Sequence, residues 1–259
     1  MAMQIRVHQS AVFLRYREGM VKLPALWCLH GFGASGASFL EAFDSPDLRS
    51  YSLFVPDFPG FGASPEGAEP QGIHEASELL LELLAAYSGE QEIALLAHSA
   101  GGLIATQVAR ELPRAKHLIS VEGNLTEADT FLSGKAAGAA DIEAWRTQIL
   151  QTLSELAETS EAIRRYCCDL KRAAPRTLMA WGSSTVRETG VTLGGERYRD
   201  VECSKLYIFG GRSVPPPTRR FLCEHRLANL EFAQAGHSPM IDEPEPFYAA
   251  VARFLEGGS

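Results

Sequence analysis

The chain has 259 residues, of which 46% are hydrophobic and 22% charged, and its net charge is −8. This composition is typical of a globular protein with one sizeable core. The acidic balance argues against nucleic acid or an anionic membrane as a partner, because both attract basic surfaces. Residues 1–20 lack the continuous apolar run of a signal peptide or a membrane anchor. We therefore expect a cytoplasmic protein that binds a small neutral or apolar molecule.

Strand and helix patterns alternate through the first part of the chain. "QIRVHQSAVFLRY" predicts an antiparallel pair of strands, and the apolar runs in "ALWCLHGFG" and "SLFVPDFPGFGAS" each lead into a glycine-rich loop. Apolar residues at helical spacing follow over 73–87. This alternation predicts an α/β fold with a mostly parallel sheet and helical crossovers.

The same alternation continues further along the chain. "IALLA" at 93–97 predicts a buried strand, and residues 103–112 predict the helix that follows it. Three more strands and a final helix are predicted from these segments: "KHLISVEGN", "KLYIFGG", "NLEFAQAGH" and "PEPFYAAVARFL".

The alternation stops between the strand that ends near Asn124 and the one that begins after Val201. Here Thr126 precedes Asp129 by three residues, as in a capping box, and "DIEAWRTQILQTLSEL" places apolar residues along one helical face. "SEAIRRYCCDL" continues the helical pattern from a Ser160 cap. We expect Pro175 to end the run.

These patterns predict two parts within one chain. Residues 1–124 and 201–259 form the sheet-bearing core, and residues 125–200 form a helical cap, or lid, inserted after the sixth strand. The apolar stripes of the insertion are typical of packing surfaces, and the face turned to the sheet is placed to roof a pocket.

Ser99 lies in "LLAHSAGG", on the turn between a predicted strand and a predicted helix. Small residues stand two positions before and after it, Ala97 and Gly101, so the segment is a variant of the G-x-S-x-G nucleophile elbow. A serine at the start of a helix is also typical of an N-cap residue, which has no role in catalysis.

Two further segments bear on the chemistry of Ser99. In "LHGFG", the backbone N–H of Phe32 is placed to join that of Ala100 in holding a developing negative charge. In "AGHSP", His237 follows the last predicted strand, and an imidazole is the group that takes a serine proton near neutral pH. A lone histidine is more often structural, so only the combination favours catalysis.

Taken together, these motifs resemble the α/β-hydrolase superfamily over nearly the whole chain. The resemblance rests on "HGFG", "DFPGFGAS", "AHSAGG", the helical insertion and "GHSPMIDEPEPF" in this order. It implies Ser99 as the nucleophile, His237 as the base and the amides of Phe32 and Ala100 as the oxyanion hole, with no cofactor and no metal.

The acid of the expected triad departs from the commonest family pattern. The loop that usually carries an aspartate reads "IFGGRSVPPP", with Ser213 at that position. Some members carry the acid after the sixth strand instead, where this chain has Glu122 in "LISVEGN". The order Ser99, Glu122, His237 keeps nucleophile, acid and base in sequence. A glutamate at the position of Glu122 is also typical of a solvated loop residue with no role in catalysis. Asp57 is a weaker candidate for the acid of the triad.

The function predicted from these residues is that of a serine hydrolase. It cleaves a carboxylic ester or thioester of an apolar small molecule through an acyl-enzyme, with Phe131, Trp145 and Trp181 as candidate pocket residues. Amidase, carbon–carbon hydrolase and lyase chemistry stay open, because function depends on the site rather than on the fold. A ligand receptor on the same scaffold, or a member that has lost catalysis, is the alternative that Ser213 favours.

Overall fold

A computed structural model describes residues 1–7 and 10–257. The described strands form one sheet of eight, in the order β1-β2-β4-β3-β5-β6-β7-β8. The strands are β1 Ala2–Val7, β2 Ser10–Arg17, β3 Ala25–Leu29, β4 Leu53–Asp57, β5 Ile93–His98, β6 Ala115–Val121, β7 Ser204–Gly210 and β8 Asn229–Phe232. β2 is antiparallel to both its neighbours, and the remaining pairs are parallel, so the predicted α/β fold is confirmed.

Helices connect the strands on both faces of the sheet. They are α1 Glu41–Asp44, α2 Ile73–Ser88, α3 Gly101–Glu111, α4 Phe131–Ala137, α5 Ile142–Thr159, α6 Glu161–Arg172, α7 Pro175–Thr189, α8 Leu193–Arg199, α9 Pro216–Glu224, α10 Pro239–Asp242 and α11 Pro244–Leu255. In the described part of the chain, none of them is long and apolar enough to cross a membrane.

The side chains of β3 show why the sheet is buried on both faces. Trp27 and Leu29 point into one apolar core with α2 and α3, whereas Leu26 and Cys28 point into the other with α11. All four are fully buried. A continuous apolar run of this kind is typical of parallel strands that helices cover on both sides.

The segment between β6 and β7 is helical, as the sequence predicts, but it contains more helix than expected. Pro175 does not end the helical run: it is the first residue of α7, where a missing N–H and a fixed φ are tolerated. α8 then follows before β7. The proline therefore separates two helices instead of closing the segment.

The parallel arrangement brings the loops that follow β3, β5, β6 and β7 to one edge of the sheet. Ligands of open α/β sheets bind at the carboxyl ends of the strands, where such loops meet. The segment of Phe32 follows β3, that of Ser99 follows β5 and that of Glu122 follows β6, while His237 lies on the loop after β8, so the fold gathers these segments at one edge.

Candidate active site

Ser99 occupies a strained turn between β5 and α3. Its φ is +53°, a conformation that non-glycine residues rarely adopt, and its amide donates to the carbonyl of Val121 at 2.9 Å. A Cβ built on Gly31 would lie 2.7 Å from the Cβ of Ser99. Only glycine at position 31 therefore lets the loop after β3 pack against this turn.

His30 holds that loop in place. Its Nδ1 donates to the carbonyl of Gly31 at 2.9 Å, and its Nε2 accepts from the amide of Phe58 at 3.0 Å. Burial lowers the pKa of His30, which keeps the ring neutral, as an accepting Nε2 requires. The sequence motif "HG" thus has a structural role here that anchors the backbone beside Phe32.

The two predicted oxyanion amides lie in the site with no internal acceptor. Phe32 and Ala100 are both buried and border the same cavity as Ser99. Within residues 1–7 and 10–257, neither amide has an intramolecular hydrogen-bond acceptor. Both N–H groups are therefore available to an oxygen of a ligand at the start of α3.

The carboxylate of Glu122 contacts the imidazole of His237 in the structure. Its Oε2 lies 2.6 Å from the Nδ1 of His237, and only 4% of the glutamate is exposed. The other oxygen, Oε1, accepts from the amide of Gly210 at 2.8 Å and from the hydroxyl of Ser213. Glu122 is thus a buried carboxylate with a donor on each oxygen, unlike a solvated loop residue.

This pairing sets the charge preference of the imidazole. Burial lowers the pKa of His237, but the charge of Glu122 and its hydrogen bond to Nδ1 together outweigh burial, so the pKa is raised above its ordinary value. Half of the His237 side chain remains exposed, at 52%, and the residue borders the same cavity as Ser99. The imidazole can therefore gain and lose a proton in contact with a ligand.

His98 is a residue of the site that the sequence analysis did not single out. Its Nε2 donates to the backbone carbonyl of His237 at 2.8 Å, and the two rings lie 4.7 Å apart. Burial, and secondarily the nearby His237, lowers the pKa of His98 to about 3, so this ring stays neutral. The signal available in the sequence was its place directly before Ser99.

Asp57, the weaker acid candidate, is bound elsewhere. It is fully buried, pairs with Arg15 at 2.8 Å and accepts from the amides of Gly36 and Ala63. These contacts tie the glycine-rich loops after β3 and β4 together. The structure shows no hydrogen bond between Asp57 and His237 in the described part of the chain.

A cavity of about 590 Å³ joins these groups. Its wall includes the five residues predicted to form the triad and the oxyanion hole, which are Ser99, His237, Glu122, Phe32 and Ala100. Helices α4 to α6 contribute further side chains, among them Leu132, Leu153, Ile163 and Tyr166. The volume is within the usual range for small-molecule sites.

The three aromatic residues predicted to line the pocket lie in three different environments. Phe131 borders the cavity and is 67% exposed. Trp145 packs against Phe32, with ring centroids 6.0 Å apart, and borders a neighbouring cavity. Trp181 is fully buried and stacks on the ring of His30 at 5.8 Å, so its contacts are those of a core residue.

Two curated relatives illustrate the similarity of the sequence to known proteins. The magnesium-chelatase 30 kDa subunit of Rhodobacter capsulatus is 40% identical over 91 residues, covering 35% of this chain and 31% of that protein. A pimeloyl-[acyl-carrier protein] methyl ester esterase of Edwardsiella ictaluri is 26% identical over 249 residues, covering 89% of this chain and 93% of that protein. The match thus spans about a third of the first relative and nearly all of the second.

Solved structures share the fold at low sequence identity. An esterase from Thermogutta terrifontis has a TM-score of 0.75 at 17% identity, covering 99% of this chain and 98% of that chain. A hydrolase from Pseudomonas aeruginosa has the same TM-score, identity and coverage. The model of the α/β hydrolase family matches residues 28–250. The chain therefore belongs to the α/β hydrolase family, as its motifs predict.

Proposed function

We propose that this protein is a serine esterase in which Ser99, His237 and Glu122 form the catalytic triad. The observation that carries the proposal is the 2.6 Å contact between Oε2 of the buried Glu122 and Nδ1 of His237. A carboxylate in that place holds the imidazole with Nε2 as the proton acceptor and stabilises the imidazolium. Ser99 and His237 border the same cavity, which supports their roles as nucleophile and base.

The reaction proceeds by acyl transfer. The Oγ of Ser99 attacks the ester carbonyl carbon while Nε2 of His237 takes its proton, and the amides of Phe32 and Ala100 bind the oxyanion. The tetrahedral adduct collapses, the C–O bond of the ester breaks, and His237 returns the proton to the departing alcohol. Water then repeats the attack on the acyl-enzyme and frees the acid.

The substrate in this proposal is a carboxylic ester or thioester with an apolar acyl or alcohol group. Several side chains that border the cavity are apolar, among them Leu132, Leu153, Ile163 and Ile241. The relative from Edwardsiella is named as a methyl ester esterase, which supports ester hydrolysis. The proposal requires no cofactor and no metal, and it places the protein in the cytoplasm.

Residues 125–200 act in this proposal as a cap on the core. Side chains of α4, α5 and α6 border the cavity that also contains Ser99. Asp169 of α6 accepts a hydrogen bond from Ser35 at 2.8 Å, which links α6 to the loop after Phe32. A cap attached in this way determines substrate size, whereas the core carries the chemistry.

The alternative of a receptor, or of a member that has lost catalysis, rested on Ser213 at the usual position of the acid. Glu122 offers a carboxylate to the same imidazole, and Ser213 donates to that carboxylate. This arrangement favours an active enzyme. Carbon–carbon bond cleavage uses the same serine and histidine, so the substrate assay must include it.

The test is a substrate panel for the wild type and Ser99→Ala. We expect the wild type to hydrolyse p-nitrophenyl and methyl esters, and the variant to lose this activity while keeping its fold. Thioesters and a β-diketone complete the panel. If the wild type cleaves only the β-diketone, or if Ser99→Ala keeps its esterase activity, the proposal is wrong.

A further inference from the structure

A second cavity lies beside the one that contains Ser99. It has a volume of about 480 Å³ and is bordered by side chains of α4 and α5. Three apolar residues border both cavities: Phe131, Leu132 and Leu153. The two cavities are therefore neighbours that share part of their wall.

An aromatic contact also links the walls of the two cavities. Phe32 borders the first cavity, and its ring packs edge-on against Trp145, which borders the second. The amide of Phe32 is the proposed oxyanion donor, so the ester carbonyl lies near this residue. A chain attached to that carbonyl and running along the Phe32 ring leads towards Trp145.

The chemistry of the second cavity suits a hydrocarbon chain. Trp145 and Ile149 provide buried apolar surface, at 7% and 9% exposure. The polar and charged residues of its wall, Lys135, Gln148 and Thr152, are all exposed positions. Lys135 lies over the ring of Phe131 at 4.1 Å, and that ring is 67% exposed, so the cavity reaches the protein surface here.

We propose that the second cavity binds the distal part of the acyl chain, so that the substrates are esters of medium-chain or longer fatty acids. This inference rests on the proposed esterase function. Burial of methylene groups against Trp145, Ile149 and Leu153 supplies the binding free energy, which rises with each added methylene. A chain that ends within the first cavity gains none of these contacts.

Thr152→Trp and Gln148→Trp test the inference by filling the second cavity from exposed positions of α5. Gln151→Trp is the matched control, because Gln151 is an exposed neighbour on the same helix that borders neither cavity. Each protein is assayed with p-nitrophenyl acetate and p-nitrophenyl decanoate. Independently, calorimetry measures binding of methyl butyrate and methyl decanoate to the same variants in a Ser99→Ala background.

We expect the filled variants to lose roughly tenfold or more in kcat/KM for the decanoate ester, because several methylenes lose their contacts. The ratio of decanoate to acetate activity should fall by the same factor in the filled variants, whereas both activities of Gln151→Trp should stay within about twofold of the wild type, because Gln151 borders neither cavity. Methyl decanoate should bind more weakly to the filled variants in the same proportion, and methyl butyrate should not.

The binding assay separates this inference from the proposed function. If the wild type hydrolyses no ester but the filled variants weaken methyl decanoate binding, the chain site stands and the esterase assignment fails. If folded Thr152→Trp and Gln148→Trp keep the decanoate preference and the methyl decanoate affinity of the control, the second cavity does not bind the acyl chain, whatever the activity.

Discussion

The hydroxyl of Ser213 donates a hydrogen bond to Oε1 of Glu122, while Oε2 of the same carboxylate lies 2.6 Å from Nδ1 of His237. The loop after β7 thus supports the proposed triad acid, Glu122, which comes from the loop after β6. Glu122 itself has a φ of +46°, a strained conformation for a non-glycine residue, and its Oε1 accepts from the amide of Gly210 at the end of β7.

Replacing Glu122 by glutamine should lower kcat by roughly 10² to 10⁴, because an amide neither fixes the imidazole tautomer nor stabilises its charged form. Ser213→Ala is the matched control: it removes one neutral donor to Oε1 and should cost far less. Steady-state kinetics on a substrate limited by acylation, with circular dichroism to check the fold, provides the measurement. Near-normal turnover of Glu122→Gln would exclude Glu122 as the acid.

The pH dependence of kcat/KM follows from the raised pKa of His237. The base must be neutral to accept a proton, so activity should rise with pH through a midpoint above about 6.5, the ordinary imidazole value. In Glu122→Gln the stabilising charge is absent, and the midpoint should move to lower pH. A midpoint that is unchanged by this substitution would contradict a direct interaction between the two groups.

A carboxylate at position 213 should partly restore the activity lost in Glu122→Gln. Ser213 already reaches one oxygen of Glu122, so Ser213→Asp returns a negative charge close to the same imidazole. The double variant Glu122→Gln/Ser213→Asp is compared with both single variants by kcat at the pH optimum. A double variant no faster than Glu122→Gln would mean that the loop after β7 cannot present an acid to His237.

Asp57 should prove to be a structural residue. It is fully buried, and its carboxylate binds Arg15 and two backbone amides, so Asp57→Ala leaves a guanidinium and two donors without their partner. We expect the free energy of unfolding to fall by about 3 to 5 kcal/mol. Denaturant titration measures this loss. Active-site titration should show near-normal turnover per folded molecule, whereas a catalytic role would lower it strongly.

The sheet and the helices of the core could be predicted because each pattern has a local physical cause. The continuous apolar strands β3 and β5 require helices on both faces, and the small residues around Ser99 indicate the turn after β5. The prediction that Pro175 ends the helical run is wrong because proline is unfavourable within a helix but favourable at its first turn. Sequence alone does not separate these two cases at the junction of two helices.

The candidate site could be predicted only where each residue stands next to a recognisable motif. The pairing of Glu122 with His237 depends on how closely the loops after β6 and β8 approach each other. The two residues are 115 positions apart in the chain, so no local pattern predicts this contact. His98 acts through a backbone carbonyl, a contact that leaves no spacing pattern. Trp181 illustrates the converse: an aromatic residue on an inserted helix suggested a pocket, but burial against His30 makes it core.

Labelling with a fluorophosphonate probe, followed by peptide mass spectrometry, tests the triad most directly, because the probe reacts with an activated serine hydroxyl. We expect an adduct on Ser99 in the wild type, no adduct in Ser99→Ala, and labelling of Glu122→Gln that is slower by roughly 10² or more. A folded wild type in which Ser99 is not labelled, or Glu122→Gln labelled at the wild-type rate, would contradict it.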